Sequence, residues 1–483
     1  MLNSPRKGGR DQSGPAMPTE TPRRLVVAGV SSGVGKTTIV SAMLAAWRRQ
    51  GRSLQPFKAG PDYIDPTYHT LAAGRPCRNL DSVLLPPATM RALFERAARG
   101  VDIALVEGVM GLFDGRNDAG EDGSTAQIAK LLGAPIVIVI DVAKTARTAG
   151  AVALGCATFD PDLPAAGFIL NRVGSETHAR TATESVEAAT GLPVLGTIPR
   201  EDALTLPERH LGLIPTDESA PDATYFDRLA DLAENHLALD RLWAIAAAPA
   251  QIPGPGLGRW SSPFPSEPPR VRARIAVARD RAFSFYYEDS LEILTAWGAD
   301  LLPFSPLADP ALPEGAQGVY LGGGFPELFA AQLAENLPMH AALRGAAAAG
   351  RPIYGECGGL MYLGESLRDF AGHRHPMVGL VPIASAMQRQ RVTVGYRTAT
   401  ALRRTPLLEP GMRVVGHEFH YSQPETPVSE AQAAYRLAER PDEPEGFIAG
   451  QVLASYIHVH FGTDPAMARR FVAACAVASP ITR

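Results

Sequence analysis

Leu25-Val-Val-Ala-Gly-Val-Ser-Ser-Gly-Val-Gly-Lys-Thr-Thr38 decides the fold of the first half of the chain. An apolar strand that enters a glycine-rich loop and then a helix is the setting of a P-loop, in which backbone N–H groups and a helix N-terminus bind phosphate. Gly33 and Gly35 let those N–H groups point inward. The strict pattern has glycine where this chain has Val30, with Gly29 one place earlier, so a glycine-rich turn without a ligand is the alternative.

A nucleotide site also needs a cation and metal ligands. Lys36 would bridge the β- and γ-phosphates, Thr37 would hold Mg²⁺, and Thr38 completes the predicted ATP site. Glu107 directly follows the apolar stretch Ile103-Ala-Leu-Val106. We therefore expect Glu107 to be the second Mg²⁺ contact, at the end of a neighbouring strand. A surface carboxylate at a strand end is the alternative.

A second polar segment, Lys58-Ala-Gly-Pro-Asp62-Tyr-Ile-Asp65-Pro66, follows another short strand-like stretch. Loops at the carboxyl ends of parallel strands form the binding crevice of an α/β sheet. Lys58 could neutralise a phosphate or carboxylate, and Asp62 and Asp65 could bind metal or orient a substrate. Asp114 lies in a turn-rich loop predicted at the same edge. A plain Asp-Pro turn is the alternative interpretation.

The remainder of the chain repeats the alternation of strands and helices. Short β-branched runs at 25–28, 103–106, 136–140, 168–170, 274–278 and 318–321 predict strands, and stretches at 38–50, 126–132 and 287–297 predict helices. This alternation is typical of doubly wound α/β domains. A segment crowded with Pro, Gly and Ser interrupts it. We therefore expect a disordered tail over residues 1–22, a nucleotide-binding domain over 23–245, a linker over 246–271 and a second α/β domain over 272–483.

The second domain carries a cysteine between glycines, in Tyr354-Gly-Glu-Cys-Gly-Gly359. A short strand, a G-x-C-x-G turn and a helix form the geometry of a nucleophile elbow, and the helix N-terminus favours a thiolate. The N–H of Gly358 would donate to an oxyanion, and Gly323 or Gly324, after the preceding strand, would supply the second donor. A buried core thiol is the alternative to a nucleophilic Cys357.

A thiol nucleophile needs a base. In Ser455-Tyr-Ile-His-Val-His460, strand alternation would place both histidines on one face. We expect His458 to take the thiol proton and His460 to orient it, as the third member of a triad does. His417 and His420 are the competing histidines, and a structural role is the ordinary one for a single strand histidine.

Composition excludes several classes of function. The 483 residues carry a formal net charge of -4, which gives no basic field for nucleic acid. The four cysteines form no C-x-x-C pair, so free thiols in a reducing cytoplasm are expected. No secretory signal is visible, and the most apolar run, 134–140, is too short to span a bilayer. We expect a soluble cytoplasmic protein without nucleic-acid or membrane partners.

These motifs resemble a known enzyme family. The first half resembles the dethiobiotin-synthetase-like P-loop enzymes, which share the displaced first glycine, and the second half resembles the class I glutamine amidotransferase domain, with its flavodoxin-like α/β fold. The two in this order resemble the cobyrinic acid or hydrogenobyrinic acid a,c-diamide synthase family. The segments that carry the resemblance are KAGPDYIDP, EGVMGLFDG, LNRVG, LPERHLGL, YGECGGLMYL, GHEFHYS and ASYIHVHF.

The resemblance implies a ligase that uses ATP, Mg²⁺ and glutamine to amidate a corrin polycarboxylic acid in cobalamin biosynthesis. It implies that Cys357 releases ammonia from glutamine and that the ammonia attacks an acyl phosphate in the first domain. It implies that Asp62, Tyr63, Ile64, Asp65 and Asp114 surround the substrate and its activation. Asn171 resembles the adenine-reading residue. Arg200 and Arg209 are candidates for binding corrin carboxylates. The resemblance leaves the oligomeric state open, with a homodimer as one option.

Three rival functions remain open at this point. Cobyric acid synthase and nickel-sirohydrochlorin a,c-diamide synthase perform related amidations, although Leu360-Met361 after the Cys-Gly-Gly sequence departs from the Tyr-Gln typical of the former. A P-loop switch of the partitioning-ATPase type would leave the second domain without catalysis. A bare glutaminase would leave the P-loop unused. The sequence also leaves open whether the preferred corrin holds cobalt.

Overall fold

The structure is a computed structural model. It describes residues 22–116, 120–200, 208–209, 212–213, 221–222, 224–246, 262–389, 392–425 and 427–481. Nearly all of the predicted tail over 1–22 and most of the predicted linker over 246–271 lie outside these residues. The end of the linker is described, and there the indole N–H of Trp297 donates to the carbonyl of Pro263 at 3.0 Å.

A parallel sheet of seven strands forms the centre of the first domain. The strands lie in the order β3-β2-β4-β1-β5-β6-β7. Their bounds are β1 Arg23–Gly29, β2 Leu54–Ala59, β3 Arg78–Leu80, β4 Ile103–Glu107, β5 Ile136–Asp141, β6 Ala165–Val173 and β7 Val194–Pro199. The central strands β1, β4 and β5 are near-continuous runs of buried residues, most of them apolar, because helices cover both faces of the sheet.

Eight helices belong to the first domain as described. They are α1 Lys36–Arg49, α2 Asp65–Ala73, α3 Pro87–Ala97, α4 Thr125–Leu132, α5 Thr148–Thr158, α6 Glu176–Thr190, α7 Tyr225–His236 and α8 Leu239–Ala246. A two-stranded ribbon, β8 Glu208–Arg209 and β9 Gly212–Leu213, lies between α6 and α7 in the chain. The predicted helices at 38–50 and 126–132 are confirmed as α1 and α4, each beginning slightly earlier.

The second domain contains a ten-stranded sheet in the order β11-β10-β12-β13-β22-β21-β20-β17-β18-β23. The first five strands of this order are parallel and the rest pair antiparallel. The bounds are β10 Ala273–Ala278, β11 Ala299–Phe304, β12 Gly318–Leu321, β13 Ile353–Glu356, β17 Thr393–Ala401, β18 Arg413–His420, β20 Ala433–Leu437, β21 Arg440–Ala449, β22 Val452–Ser455 and β23 His458–Val459.

A smaller four-stranded sheet and five helices complete this domain as described. The sheet comprises β14 Ser366–Arg368, β15 Arg374–Pro376, β16 Ala384–Met387 and β19 Ser422–Pro424. The helices are α9 Glu288–Ala296, α10 Ala330–Glu335, α11 Leu337–Ala348, α12 Gly358–Leu363 and α13 Pro465–Ala476, with a 3₁₀ turn at Pro326–Phe329. Within the described part of the chain, no helix has the length and apolar character needed to cross a bilayer.

The two domains share a buried interface. The guanidinium of Arg78, on β3, is bound by the carboxylates of Asp289 and Glu292, on α9. The phenol of Tyr396 donates to Asp81 at 2.9 Å, and the hydroxyl of Thr463 donates to the carbonyl of Leu84 at 2.7 Å. Buried polar groups that are paired across an interface favour one relative arrangement of the two domains, because separation leaves each of them without a partner.

Candidate active site

The predicted P-loop lies between β1 and α1. Gly35 adopts φ +96° directly before α1, and a Cβ there would meet the side-chain amide of Asn171 at 2.3 Å, so only glycine fits. The ammonium of Lys36 donates to the carbonyls of Ser31, at 3.1 Å, and Met110, at 2.6 Å. Burial, and then the charge of Lys58, lower the pKa of Lys36 to about 8. Lys36 is therefore held over the loop that a phosphate would occupy.

Glu107 ends β4 beside β1 and is completely buried. Its Oε1 accepts from the hydroxyl of Thr37 at 2.8 Å and from the ammonium of Lys58 at 2.9 Å. Its Oε2 contacts Nε2 of His69. Burial favours the neutral acid, but Lys58 and His69 outweigh it and lower the pKa of Glu107 well below its usual range. The carboxylate is therefore ionised at neutral pH.

Lys58 gathers the acids of the second polar segment. Its ammonium lies 3.8 Å from Asp62 and contacts Asp65 directly. Burial opposes the cation, but Asp65, Glu107 and Asp62 together raise the pKa of Lys58. Burial, and then the neighbouring Asp65, raise the pKa of Asp62 to about 7. Asp62 can therefore accept or release a proton near neutral pH, which suits a group that handles a carboxylic acid.

The remaining predicted residues of the first domain lie around this cluster. Asn171, on β6, donates to the carbonyl of Val34 in the P-loop at 2.8 Å. Asp114 accepts from the N–H of Gly111 at 3.0 Å, and its charge acts on Lys36. Ile64 precedes α2, and its N–H donates to Asp62 at 2.8 Å. Thr38 is half-buried in the first turn of α1, and Gly33 has φ +75°.

The two arginines predicted to bind corrin carboxylates follow β7 in the chain. Arg200 is exposed just after β7. The side chain of Arg209 lies outside the described residues, although its backbone forms part of β8.

The oxygens available for a magnesium ion are few but suitable. The hydroxyl of Thr37 and the carboxylate of Glu107 lie within 2.8 Å of each other, close enough to share one cation. The described residues contain no group of three or more His, Cys, Asp or Glu side chains that could enclose a metal. Mg²⁺ usually takes one or two protein oxygens and completes its shell with substrate phosphates and water. Thr37 and Glu107 fit that pattern.

Cys357 lies at a strained turn between β13 and α12. Its φ of +50° and ψ of -100° are unusual for a residue other than glycine. Its N–H donates to the carbonyl of Ser455 on the adjacent β22 at 2.7 Å, and its thiol lies 3.6 Å from the carbonyl of Phe419. The glycine-flanked sequence thus forms the predicted elbow, with the sulfur at the N-terminus of α12.

His458 faces the thiol from the end of the neighbouring chain segment. Burial disfavours the imidazolium, but Cys357 and Glu356 outweigh it and raise the pKa of His458 to about 10. The imidazolium form of His458 is therefore favoured at neutral pH, beside the thiol that it would serve. The backbone of Gly323 lies close to the same ring, because a Cβ there would approach Cε1 of His458 to 2.5 Å.

The glycines predicted to bind an oxyanion differ in what their N–H groups do. The N–H of Gly323 donates to the carbonyl of Phe285 at 3.2 Å, so it is already used. The nitrogen of Gly324 lies 3.2 Å from the Cβ that would be added at Gly358. Among the described residues, the N–H groups of Gly324 and Gly358 have no backbone acceptor. These two groups, rather than Gly323, are therefore placed to act together.

The contacts of His460 differ from those that the sequence predicts. Strand β23 ends at Val459, so the alternation that would align the two histidines does not continue. Nδ1 of His460 accepts from the N–H of Gly462 at 2.9 Å, and its ring stacks on Tyr287 with centroids 5.0 Å apart. Burial lowers the pKa of His460 to about 3. No hydrogen bond joins His460 to His458 among the described residues.

The competing histidines of β18 are engaged elsewhere. His420 contacts Glu418 at 3.1 Å and the carbonyl of Ser422 at 2.7 Å. His417 pairs in register with His458 on β23, and burial, followed by the charge of His458, lowers its pKa to about 3. His417 is therefore neutral, and it cannot replace His458 as the cation beside the thiol of Cys357.

Two features of the site escaped the sequence analysis. Tyr63, which reaches from the first domain, packs against His458 with ring centroids 5.1 Å apart and ring planes tilted by 45°. His69, on α2, contacts Glu107. A helix spacing of four residues from Asp65 to His69 could have indicated that both face one site. The reach of Tyr63 across two domains has no local signal.

Comparisons with known proteins agree with both halves of this arrangement. Residues 25–214 match the CobQ/CobB/MinD/ParA nucleotide binding domain, and residues 274–466 match the CobB/CobQ-like glutamine amidotransferase domain. A cobyrinate a,c-diamide synthase of Dehalococcoides mccartyi is 44% identical over 93% of this chain and 97% of that protein. Its Synechococcus counterpart is 43% identical over 95% of this chain and 100% of that protein.

A hydrogenobyrinate a,c-diamide synthase of Streptomyces coelicolor is 40% identical, over 96% of this chain and 98% of that protein. Likeness at this level extends across both domains and their junction. The predicted order of domains and the predicted fold class are thereby confirmed. The chain belongs to the cobyrinate or hydrogenobyrinate a,c-diamide synthase family.

Proposed function

We propose that this protein is an ATP- and glutamine-dependent ligase that converts the a and c acetate side chains of a corrin acid to amides, in cobalamin biosynthesis. The observation that carries the proposal is the presence of two candidate sites in one chain. Lys36, Thr37 and Glu107 lie together where a phosphate and its cation would bind, and Cys357 lies beside His458. Relatives over the whole length bear the names of a,c-diamide synthases.

In the second domain, the thiolate of Cys357 attacks the amide carbon of glutamine. The N–H groups of Gly324 and Gly358 receive the developing oxyanion. His458, as an imidazolium, gives a proton to the departing ammonia, and a thioester remains on the sulfur. Water then hydrolyses the thioester to glutamate, with His458 acting as the base. The glutamate leaves, and the thiolate returns.

In the first domain, a corrin carboxylate attacks the γ-phosphate of ATP. A carboxylate is a poor electrophile, and phosphorylation supplies a leaving group. Lys36 would neutralise the phosphates, while Thr37 and Glu107 would hold Mg²⁺, which supplies further charge neutralisation. Asp62 and Asp65, with Lys58 between them, would orient the acid and take up the proton that ammonia loses when it attacks the acyl phosphate.

The chemistry requires that ammonia meet the acyl phosphate before water does. The segment that carries Asp62 and Asp65 also carries Tyr63, which contacts His458 in the other domain. Support for a single internal path comes from this direct contact. A cytoplasmic location is proposed because the described cysteines are all free thiols.

The test combines purified protein, ATP, Mg²⁺ and glutamine with cobyrinic acid or hydrogenobyrinic acid, and mass spectrometry identifies the products. We expect two amides per corrin and one glutamate and one ADP per amide. Cys357→Ala should lose glutamine use and retain amidation with added ammonia. If Cys357→Ala loses both, the two-site proposal is wrong. If sirohydrochlorin or an a,c-diamide is consumed instead, the substrate assignment is wrong.

A further inference from the structure

The imidazole of His458 has one nitrogen that the thiol does not account for. Its Nδ1 is buried and has no hydrogen-bond partner within the described part of the chain. A buried donor without an acceptor costs about 1–3 kcal/mol. An imidazolium, the form that Cys357 favours, must carry a proton on this nitrogen. The nearest carboxylate oxygen is Oε2 of Glu356, at 3.9 Å.

The carboxylate of Glu356 is itself fixed in place. Oε1 accepts from the N–H of Val459 at 3.1 Å and from the phenol of Tyr354. Oε2 accepts from the phenol of Tyr320 at 2.9 Å. Since Val459 directly follows His458, the same carboxylate also holds the backbone that carries the histidine. Glu356 thus has a fixed position relative to the ring.

The charge of this carboxylate lacks any other cation nearby. Glu356 is only 2% exposed. His458 is the one Lys, Arg or His side chain within salt-bridge distance of it among the described residues. A buried carboxylate that receives only neutral donors gains much from a neighbouring cation. An imidazolium at His458 would supply the cation that this buried carboxylate otherwise lacks.

We infer that Glu356 is the positioning residue of the glutaminase site, accepting a hydrogen bond from Nδ1 of the His458 imidazolium. The inference rests on the proposed function and deepens it. Glu356 neither gains nor loses a proton in this scheme. One proton moves from the thiol of Cys357 to His458 and onward to the ammonia, while Nδ1 keeps its own. A catalytic hydrogen bond that is long at rest commonly shortens as charge develops.

The geometry makes His460 a poor candidate for the same task. Its Nδ1 accepts from Gly462, and its neutral ring stacks on Tyr287 rather than on His458. Glu356 is instead the residue next to the nucleophile in sequence. Both this carboxylate and the thiol of Cys357 interact with the imidazole of His458. Nucleophile and positioning carboxylate thus come from the same tripeptide.

The test is Glu356→Gln, which keeps the shape of the side chain and removes its charge. The ultraviolet absorbance of the Cys357 thiolate at neutral pH, taken as the difference from Cys357→Ser, should largely disappear. The kcat for glutamine hydrolysis should fall about 100-fold, in the range of lost acid–base catalysis, with little change in KM. Amidation with added ammonia should persist. Glu365→Gln, an exposed carboxylate in the same domain, is the matched control.

Three outcomes would overturn the inference. The first is an unchanged thiolate signal and kcat in Glu356→Gln. The second is a parallel loss of ammonia-dependent amidation and thermal stability, which would indicate a purely structural role. The third is loss of the thiolate in His460→Gln alone. If Glu356→Gln does not fold, Glu356→Asp is the replacement test. Its shorter side chain moves the carboxylate away from His458, so kcat for glutamine hydrolysis should be intermediate. A wild-type protein without glutaminase activity would instead refute the proposed function.

Discussion

The ring of Tyr63, on the loop that follows β2 in the first domain, packs against the imidazole of His458 in the second domain, with the ring planes tilted by 45°. The ring of Tyr63 also contacts the rings of Phe285 and Tyr287, with centroid distances of 5.1 Å and 4.8 Å. One residue of the 58–66 segment, which is predicted to surround the substrate, therefore lies directly against the histidine proposed as the base for Cys357. A movement of the loop that carries Tyr63 would therefore change the packing around the ring of His458.

The first prediction concerns this contact. Tyr63→Ala removes the aromatic ring that lies against His458. Ammonia released from glutamine should then escape to solvent, and glutamine hydrolysis should proceed even when no corrin acid is amidated. We expect the ratio of glutamate released to amide formed to rise several-fold, measured by coupled glutamate assay and mass spectrometry. Tyr63→Phe keeps the ring and should retain the wild-type ratio. An unchanged ratio in Tyr63→Ala would mean that the ring does not separate the sites.

The second prediction concerns Gly323. A methyl group there would approach Cε1 of His458 to 2.5 Å, which forces the ring to move. A displacement of about 1 Å can lower a rate about 100-fold, so Gly323→Ala should lose most glutamine-dependent activity and keep ammonia-dependent amidation. Gly345→Ala, at an exposed position in α11 with open space around it, is the control. Full glutaminase activity in Gly323→Ala would contradict the assigned geometry.

The third prediction concerns the charge of Lys58. This lysine is 3% exposed, and Lys58→Met would leave the carboxylates of Glu107, Asp62 and Asp65 without it. Removing one partner of a buried ion pair costs about 3–5 kcal/mol. We expect a loss of that size in the free energy of unfolding at pH 7, measured with urea. Lys130→Met, whose ion pairs lie nearer the surface, should cost about 1 kcal/mol or less.

The same variant has a predictable dependence on pH. The native pKa of Glu107 is lowered, in part by Lys58, so the carboxylate stabilises the fold above its unfolded pKa of about 4.3. That contribution is lost as pH falls through the unfolded value toward the native one. The stability difference between wild type and Lys58→Met should therefore be largest near neutral pH and shrink below pH ~4. A difference that grows on acidification would refute this account.

The fourth prediction concerns the joint between the domains. Arg78→Ala removes the cation between the buried Asp289 and its neighbour Glu292. We expect a cost of about 3–5 kcal/mol and a calorimetric trace in which the domains unfold separately. Arg96 lies 3.6 Å from the same Glu292 but is half exposed, so Arg96→Ala should cost at most about 1 kcal/mol. Equal losses of stability in Arg78→Ala and Arg96→Ala would show that burial does not determine the cost of losing these ion pairs.

Much of the fold is readable from local patterns. The strands over 136–140 and 318–321 are apolar runs bounded by turn residues, and the structure has them as β5 and β12. The helix predicted over 287–297 is confirmed as α9. In contrast, the antiparallel part of the second sheet, from β17 to β23, was not anticipated. Strands such as β21, which is buried only over residues 445–447, carry too much polar surface to be recognised as strands.

The chemistry of the site is readable where one segment supplies it. Lys36 and Thr37 follow from a loop, and Cys357 follows from its glycines. The pairing of His458 with His460 was a local inference as well, and it failed to foresee that β23 stops at Val459. The partner at Nδ1 depends on how β13 lies against the segment after β22, and such a long-range juxtaposition leaves no periodic signal.

The left-handed backbone at Cys357 has a consequence for how this position can vary. An L-residue there costs about 1–3 kcal/mol that glycine would not incur. Cys357→Gly should therefore make the protein more stable and abolish glutamine hydrolysis. Cys357→Ala and Cys357→Ser would keep the backbone strain without the sulfur. Drift toward a more stable chain is opposed at this one residue by the need for a nucleophile.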